Sequence, residues 1–377
     1  MRPASAARVA PLVLAYCAAL AHAAEQPESY ASYVERSIGA PPPEALGAAL
    51  HAAHAEPPIA YASVAPLVEA NAAVLDGPFA QSSPGSLAPP SSDARLAVPL
   101  LLQLMRDWSA DGAAERAQCY APAVAALAEA VRRRGARQHT RVLIPGSGLG
   151  RLAYDLAAAL PASEVVAIDP DAHALVLSAA MMTPANTSAA DGDAPSGSCE
   201  AAGARQRIYP SVHVSTNWAS TADRLRHVDV PDVTDDVLRA VHDRSNVSLV
   251  AGRFPHAVAD DTSGDGLWRI FDGAATVFFV DVADDVPAAV AAIGDLLGPG
   301  GTWVNCGPLA YPPVGEALGG PPAYALSGAQ LLALVRQRFE LIEDRRVPCT
   351  YDALPRRLEL TARECLFFVA RARPKPA

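Results

Sequence analysis

The stretch Val142-Leu-Ile-Pro-Gly-Ser-Gly-Leu-Gly-Arg-Leu-Ala153 decides the fold of this chain. The apolar run at residues 141–145 predicts a short buried strand, and a glycine-rich turn follows it at residues 146–150. The apolar spacing of residues 151–160 predicts a helix, and a second apolar run at residues 164–168 predicts another strand. A strand, a turn, a helix and a strand in this order predict one βαβ unit with two parallel strands.

The same alternation returns later in the chain and extends the sheet. The predicted elements are a strand over residues 275–280, a helix over 286–297, a turn at 298–301, a strand over 302–305, a helix over 327–338 and a final pair of strands, the last over 365–370. This alternation predicts a doubly wound α/β sheet that binds its ligands at the carboxyl ends of the strands.

Gly146, Gly148 and Gly150 form a GxGxG pattern, which indicates the kind of ligand that the sheet binds. A dinucleotide-binding loop would have glycine at the sixth position, where this chain has Arg151, so a nicotinamide oxidoreductase is disfavoured. The pattern is typical of loops for S-adenosylmethionine, which has no phosphate and needs close approach of the backbone. Asp169, at the end of the next strand, suits the ribose diol as a bidentate acceptor. A glycine-rich turn without a ligand is the alternative.

A second pattern favours the same fold class. Residues 297–301 have the hydrophobic-x-Pro-Gly-Gly form that precedes a strand in methyltransferases of this class. Together with the glycine turn and Asp169, this segment predicts a class I S-adenosylmethionine-dependent methyltransferase. Its expected architecture is a Rossmann-like doubly wound α/β sheet with an N-terminal helical extension, and its predicted cofactor is S-adenosylmethionine.

The composition excludes several other chemistries. The chain has 377 residues, and Lys375 is the single lysine among its 30 basic residues. Phosphate-binding loops of the GxxxxGK[ST] type, protein kinases and pyridoxal-phosphate enzymes all need a lysine, which the body of this chain does not offer. The formal net charge of -10 argues against nucleic acid as a partner.

The cysteines predict neither a disulfide framework nor a metal site. Beyond Cys17, which belongs to the N-terminal segment, their number is odd and no pair has CxxC spacing. These remaining cysteines are Cys119, Cys199, Cys306, Cys349 and Cys365.

The N-terminus resembles a targeting segment. Arg2 and Arg8 precede an apolar stretch, and Ala21-His22-Ala23 resembles a cleavage site. The stretch is too short for a membrane span, so no integral membrane segment is predicted. We expect residues 1–23 to direct the chain to the secretory route or to an organelle. The alternative is an alanine-rich N-terminal helix on a cytoplasmic protein.

Two further regions follow this segment. Residues 24–134 predict a helical region with a Ser/Pro/Gly-rich linker at residues 81–93. Its second part predicts two helices, with breaks marked by Asp107, Ser109 and Pro122. Residues 135–377 predict the methyltransferase domain.

Four blocks of sequence resemble the carnosine N-methyltransferase, or N2227-like, family. They are Gln103-Leu-Met-Arg-Asp-Trp-Ser109 with Cys119-Tyr-Ala-Pro122, then residues 142–153, then Phe278-Phe-Val-Asp281 with residues 299–311, and finally Glu364-Cys-Leu-Phe-Phe-Val369. The resemblance covers roughly residues 96–371, and the first block is the most specific. It implies that S-adenosylmethionine methylates an imidazole nitrogen of carnosine or a related histidine-containing peptide.

The resemblance also implies a cofactor site. Gln103 and Arg106 lie three residues apart on one helix face and match the pair that holds S-adenosylmethionine, with the arginine on its carboxylate. Gly146 matches the loop glycine against the cofactor, and Gly148 is assigned with it. Asp169 stands where the family has a ribose-binding glutamate.

The adenine contact departs from the family pattern. This chain has Ala251-Gly-Arg-Phe254 where the family has Ala-Gly-Asp-Phe. Phe254 can still pack against the adenine. Arg253 replaces an acid that would accept a hydrogen bond from the cofactor, which implies weaker or re-routed binding at this position.

The acceptor side departs further. Asp281 matches the residue that orients the acceptor imidazole, and Tyr311 is assigned to the substrate with it. The histidine that follows this tyrosine in the family is Pro312 here. The late tyrosines of the family are replaced by Thr361, Ala362 and Arg363.

Two other functions stay open. Asp284 and Asp285 add acids near Asp281 and suggest a more cationic small amine as the acceptor. A non-catalytic family member that binds S-adenosylmethionine is the second alternative. The predicted partner is a small molecule or short peptide, and the sequence does not define an oligomeric state.

Overall fold

The computed structural model describes residues 27–38, 59–80, 87–134, 140–185, 205–244, 246–259, 270–311, 325–351, 354 and 356–374. The predicted targeting segment at residues 1–23 lies outside them, as do Cys17, Cys199, Pro312 and Lys375. Within the described residues, no helix is long and apolar enough to cross a membrane.

Helices come first along the chain and then alternate with strands. The described helices are α1 (Tyr30–Ile38), α2 (Tyr61–Asp76), α3 (Ala94–Trp108), α4 (Ala113–Arg133), α5 (Arg151–Ala159), α6 (Ala172–Met182), α7 (Thr221–Arg224), α8 (Asp235–His242), α9 (His256–Ala259), α10 (Val286–Leu296) and α11 (Gly328–Arg338). The described strands are β1 (Thr140–Pro145), β2 (Ser163–Asp169), β3 (Gln206–Ile208), β4 (Val228–Val230), β5 (Val247–Ala251), β6 (Phe271–Val277), β7 (Leu297–Gly307), β8 (Phe339–Thr350) and β9 (Ala362–Ala372).

Seven of these strands form one sheet in the order β5-β2-β1-β6-β7-β9-β8. The first five in this order are parallel, and β9 runs antiparallel between β7 and β8. This is the class I methyltransferase fold, which confirms the predicted fold class. The strand order reverses between β1 and β6, and the carboxyl ends of parallel strands at such a point form a ligand-binding crevice.

Two hydrophobic cores cover the two faces of the sheet. Val142 and Ile144 of β1 pack into the larger core, which also contains the buried residues of α3, α4 and α5. Leu143, which points to the other face because successive strand residues alternate, packs with residues of α10 and α11. Both faces of the central strands are therefore covered, as a parallel sheet requires.

The predicted N-terminal helices are present and are bonded to the rest of the chain. Asn71 of α2 is fully buried, and its Nδ2 donates to the hydroxyl of Tyr30 in α1 at 2.8 Å and to the carbonyl of Tyr209 at 3.0 Å. The N–H of Tyr209 donates in turn to Asn71 Oδ1 at 2.7 Å. This one side chain joins two helices to the segment after β3.

The predicted break at Pro122 is wrong, because α4 continues through it. A proline inside a helix removes one backbone hydrogen bond at a cost of about 3 kcal/mol. Close packing on the sheet offsets this loss: a Cβ atom on Gly273 of β6 would lie only 2.7 Å from Cδ1 of Leu127 in α4. Tertiary contact therefore decides the course of this helix.

The predicted strand over residues 275–280 is displaced, and the turn at residues 298–301 is absent as a separate element. The backbone of Phe278 has φ of 54°, which ends β6 at Val277 and places Asp281 on a single 3-10 turn after the strand. Residues 298–301 belong to β7, and the β6–β7 pairing shifts register there. The glycines allow a bulge inside the strand instead of a turn before it.

Candidate functional site

The glycine loop lies at the carboxyl ends of β1 and β2. The N–H of Ser147 donates to the carbonyl of Ile168 at 2.9 Å, and the N–H of Gly148 donates to Asp169 Oδ2 at 2.7 Å. Gly146, Gly148 and Gly150 have φ of 65°, 51° and 76°, a region that favours glycine. The loop is thus held to the end of β2 by its own backbone.

Close packing adds a second reason for glycine at the start of the loop. A Cβ atom on Gly146 would overlap the ring of Phe279, which follows β6. At Gly148 a Cβ would lie 3.5 Å from Oε1 of Gln103, so the loop faces this side chain of α3. Gln103 and Gly148, both assigned to the cofactor from the sequence, therefore lie next to each other.

Asp169 is a buried carboxylate at the end of β2. Its Oδ2 accepts the N–H of Gly148, and its Oδ1 accepts the N–H of Asp171 at 2.9 Å. Burial raises the pKa of Asp169 to about 6, although both N–H groups act in the opposite direction. Each carboxylate oxygen has two lone pairs, so Asp169 can still accept from a ligand diol.

Arg106 is buried at the carboxyl end of α3. Its Nε and Nη2 donate to the two oxygens of Asp107 at 2.8 and 3.2 Å, and its guanidinium lies 5.9 Å from the ring centre of Phe278 and 5.6 Å from that of Tyr351. Burial, the largest single influence, would lower the pKa of Arg106, but the charge of Asp107, its hydrogen bond and the nearby hydroxyls of Tyr120 and Tyr351 together outweigh it, so this pKa is raised well above its ordinary value. Two of five N–H donors are used on Asp107, which leaves donors for a ligand carboxylate.

Buried hydrogen bonds fix α3 to the glycine loop. Trp108 Nε1 donates to the carbonyl of Leu149 at 2.8 Å. Arg151 Nη1 donates to the carbonyl of Asp107 at 2.8 Å and to Asp232 Oδ1 at 2.7 Å. The arginine at the sixth position of the glycine pattern therefore joins α5 to the end of α3.

The adenine-side residues predicted from the sequence lie at the next strand end. Phe254 is buried, and its ring meets that of Phe279 edge-on at 6.1 Å between centres. Arg253 Nη1 lies 3.2 Å from both oxygens of Asp284, about one third of each side chain being exposed. Arg253 also lies close enough to Asp169 for its charge to lower the pKa of that carboxyl.

The acids at positions 284 and 285 have local partners. Asp284 pairs with Arg253, and Asp285 Oδ1 accepts the N–H of Ala288 at 2.9 Å as the N-cap of α10. The observation that suggested a cationic amine as the acceptor therefore has a structural explanation.

Asp281 is buried near the predicted substrate residues. Its Oδ2 accepts the N–H of Ala310 at 3.1 Å. Burial raises the pKa of Asp281, while the Ala310 N–H and the positive charge of Arg363 lower it. Burial also raises the pKa of Tyr311, the Leu326 N–H lowers it, and the negative charge of Asp281 raises it further. The structure thus brings Asp281, Tyr311 and Arg363 into one electrostatic neighbourhood.

Two aromatic residues that the sequence did not indicate as site residues, Phe278 and Tyr351, lie between Arg106 and Arg363. Phe278 and Tyr351 meet edge-on at 5.0 Å between ring centres. Arg106 and Arg363 both lie over the ring of Tyr351, at 5.6 and 5.2 Å. The sequence contains a signal for Phe278, which adjoins Asp281 in the same block, but none for Tyr351, which lies about 70 residues away along the chain.

A family model and several known proteins match most of this chain, and all are carnosine N-methyltransferases. The sequence model of the carnosine N-methyltransferase family matches residues 86–190 and 197–374. The chain is 29% identical over 297 residues to carnosine N-methyltransferase of Rattus norvegicus, which covers 78% of this chain and 67% of that protein. It is 27% identical over 271 residues to carnosine N-methyltransferase of Dictyostelium discoideum, covering 71% of this chain and 52% of that protein.

Solved structures resemble the chain more distantly. One is N-methyltransferase NodS from Bradyrhizobium japonicum in complex with S-adenosyl-L-homocysteine, with a TM-score of 0.34 and 12% identity. The match covers 67% of this chain and 86% of that one.

Proposed function

The chain belongs to the carnosine N-methyltransferase family, and we propose that it methylates an imidazole nitrogen of carnosine or a related histidine-containing peptide with S-adenosylmethionine. The observation that carries this proposal is the buried Asp281, which accepts the Ala310 N–H and lies two residues after Phe279, whose ring packs against Gly146 of the glycine loop. A fixed carboxylate can accept one ring N–H of imidazole and so leave the lone pair of the other nitrogen directed away from it.

The glycine loop, Gln103, Arg106 and Asp169 form the end of the site that would hold the methyl donor, here called the donor end, and they fit S-adenosylmethionine. The end around Asp281, Tyr311 and Arg363 is called the acceptor end. A Cβ on Gly148 would fill the space between the loop and Gln103, and the remaining donors of the buried Arg106 suit the amino-acid carboxylate. The raised pKa of Asp169 indicates a carboxylate that gains from additional donors, which a ribose diol supplies. When bound, S-adenosylmethionine supplies an electrophilic methyl group on a sulfonium.

Phe254 is suited to pack against the adenine of S-adenosylmethionine, whereas Arg253 changes the hydrogen-bonding group at the neighbouring position. The buried ring of Phe254 offers an apolar surface for the adenine. Arg253 offers donors where the family has an acceptor, so we propose that Asp284, its partner, supplies the negative charge at this position.

On the acceptor side, the chain's residues position the imidazole and stabilise its charge. Asp281 holds the ring by its N–H, and its negative charge favours the cationic ring that forms when the second nitrogen gains a methyl group. Asp281 then receives the ring proton or passes it to water. Positioning and electrostatics account for the acceleration, because the reaction itself is a direct displacement.

Arg363 favours a peptide acceptor over a cationic amine. Its guanidinium lies over Tyr351 and adds positive charge beside Asp281. A guanidinium pairs well with a carboxylate and repels an ammonium group. Histidine-containing peptides carry a carboxylate, so we propose that Arg363 binds it in place of the family's late tyrosine, and that Tyr311 lines the same space.

A methyl-transfer assay tests this function. The full chain is incubated with radiolabelled S-adenosylmethionine and, separately, with carnosine, other histidine-containing peptides and small amines, and the methylated atom is located by tandem mass spectrometry. We expect transfer to an imidazole nitrogen, with the Arg363→Gln variant showing a higher KM for the peptide and a nearly unchanged affinity for S-adenosylhomocysteine. Transfer to amines alone, or S-adenosylhomocysteine binding without turnover, would support the two alternatives instead.

We propose that residues 1–23 target the chain to the secretory route or an organelle. The Arg2–Arg8 start, the apolar stretch and the Ala21-His22-Ala23 sequence support this proposal. Imaging of a C-terminally tagged chain with and without these residues tests it. An unchanged cytoplasmic signal in both would exclude it.

A further inference from the structure

Four cysteines that are far apart in the sequence meet in the larger core. Cys119 lies in α4, Cys306 in β7, Cys349 in β8 and Cys365 in β9. All four are free thiols, and each is at most 2% exposed. The separations along the chain have no metal-site spacing, which is why the sequence predicted no metal.

The strand register explains how the four positions meet. Cys365 lies two residues from the β9 partner of Cys306, and Cys349 lies two residues from the β8 partner of Cys365. Residues two apart in a strand point to the same face, so these three side chains share one face of the sheet. Helix α4 packs on β6, β7 and β8 and contributes Cys119 from above that face.

Three of the sulfur atoms are close enough to bind one metal ion. The Sγ atoms of Cys119, Cys349 and Cys365 all lie within 4.8 Å of one another, and those of Cys119 and Cys349 are 2.8 Å apart. The sulfur of Cys306 lies outside this group of three, but its thiol interacts with the thiols of Cys119, Cys365 and Cys349. We propose that Cys119, Cys349 and Cys365, with Cys306 as the fourth ligand, form a structural site for a soft d¹⁰ cation, zinc being the first candidate.

The ligand chemistry favours zinc over harder ions. Four sulfur ligands with no oxygen among them select zinc or another thiophilic metal, whereas magnesium and calcium need oxygen. With Zn–S bonds of about 2.3 Å, tetrahedral geometry places the sulfurs roughly 3.8 Å apart, so among Cys119, Cys349 and Cys365 the sulfur–sulfur distances would change by about 1 Å or less. The thiols lose their protons on binding, so metal uptake releases protons and weakens in acid.

The site would brace the acceptor side of the methyltransferase. Cys119 directly precedes Tyr120, whose hydroxyl donates to Asp107 at 2.9 Å. Cys349 and Cys365 each lie two residues from a member of the Tyr351 and Arg363 pair. A metal joining α4 to β8 and β9 would therefore fix the backbone under both ends of the site. The proposal itself does not depend on which acceptor the enzyme uses.

Metal analysis of the purified full chain tests the proposal. Elemental analysis and native mass spectrometry are expected to find about one zinc ion per chain. Cobalt added to chelator-treated protein should give the absorption bands of tetrahedral cobalt thiolate. The variants Cys349→Val and Cys365→Val should lose the metal, while Cys199→Val, a cysteine outside the described residues, should keep it.

Three outcomes of these experiments would contradict the proposed metal site. Valine is a small apolar residue that suits a buried position, so thermal unfolding separates loss of metal from loss of fold. Metal-free protein in which all six cysteines titrate as thiols after unfolding would indicate simple packing. A mass lower by two hydrogens would indicate a Cys119–Cys349 disulfide. Metal retained in both valine variants would also overturn the proposal. None of these readouts uses methyl transfer.

Discussion

The donor end and the acceptor end of the site are built in different ways. At the donor end, backbone groups of the glycine loop bond to β2, and Trp108 and Arg151 bond α3 to that loop. At the acceptor end, Asp281 accepts the Ala310 N–H, and the side chains near it come from separate segments, Arg363 from β9 and Tyr311 from the segment after β7. A site held by backbone tolerates little change, whereas a site formed by side chains from several elements can change its substrate by single replacements.

The largest effect should appear where the acceptor end touches the reacting group. In Asp281→Asn the amide offers a weaker acceptor without charge, so we expect kcat to fall on the order of 1000-fold. The affinity for S-adenosylhomocysteine, measured by calorimetry, should change by less than about twofold, because Asp281 is assigned to the acceptor alone.

The exposed Asp344→Asn is the matched control, since Asp344 pairs only at the surface with Arg336. Its kcat and its S-adenosylhomocysteine affinity should equal those of the parent chain. A comparable loss of S-adenosylhomocysteine binding in Asp281→Asn would contradict the separation of the two ends.

A second test addresses the cation at the donor end. Arg106→Ala should weaken S-adenosylhomocysteine binding by about 100-fold, because a charge-assisted bond to the ligand carboxylate is lost. It should also lower the free energy of unfolding, since the buried Asp107 then loses its positively charged partner and keeps only the hydrogen bond from the Tyr120 hydroxyl. Arg106→Lys keeps the charge but not the planar pair of donors, so we expect an intermediate loss.

Calorimetry and thermal unfolding on the same preparations separate the two effects. Arg336→Ala provides the control, because Arg336 is half exposed and its ion pair is a surface one. A folded Arg106→Lys that binds S-adenosylhomocysteine as the parent does would remove Arg106 from the ligand site.

A third test replaces backbone freedom instead of charge. Gly146→Ala places a Cβ against the ring of Phe279 at a φ of 65°, so the loop must move. We expect S-adenosylhomocysteine affinity to fall by about tenfold. Gly77→Ala is matched to it, since nothing lies within 4 Å of a Cβ at that position and its φ is -48°. Equal S-adenosylhomocysteine affinities in the two variants would show that the loop accepts a Cβ at position 146 without loss of binding.

The same contrast explains what the sequence could predict. Every predicted donor-end element is present, because GxGxG, the strand end at Asp169 and the helix before Trp108 are local patterns in contiguous sequence. The sequence predicts no role for Arg151 and shows only that it stands where a dinucleotide-binding loop has glycine. Its contacts with Asp107 and Asp232 join elements far apart in the chain.

The acceptor end was predicted less completely for the same reason. Tyr351 belongs to the segment after β8, and only the antiparallel insertion of β9 brings it to Arg106 and Arg363. Asp284 and Asp285 appeared from the sequence to be additional ligand acids. One pairs with Arg253 and the other caps α10, contacts that depend on where α10 begins.

The last expected effect, about as large as that of Gly146→Ala, concerns pH at the donor end. Asp169 has a pKa of about 6 in the folded chain against an ordinary value of 3.8, and Asp171 and Arg253 are the charged neighbours that also act on it. Well below pH 4 the carboxyl is protonated in both the folded and the unfolded chain, so it does not change the free energy of unfolding. Between about pH 4 and 6 the unfolded chain loses this proton while the folded chain keeps it, so the free energy of unfolding falls by on the order of 3 kcal/mol and levels off above pH 6.

A ribose diol donates to the ionised form and offsets this cost, so S-adenosylhomocysteine should bind about tenfold more tightly at pH 7 than at pH 5. Calorimetry across this range measures the slope, and Asp169→Asn should flatten it while binding more weakly at pH 7. Arg106 stays charged throughout the range and cannot produce the slope. If the pH dependence of binding persisted in Asp169→Asn, Asp169 would not be the group that binds the ribose diol. Recognition of the cofactor by the loop would then rest on backbone groups, without a carboxylate that titrates in this range.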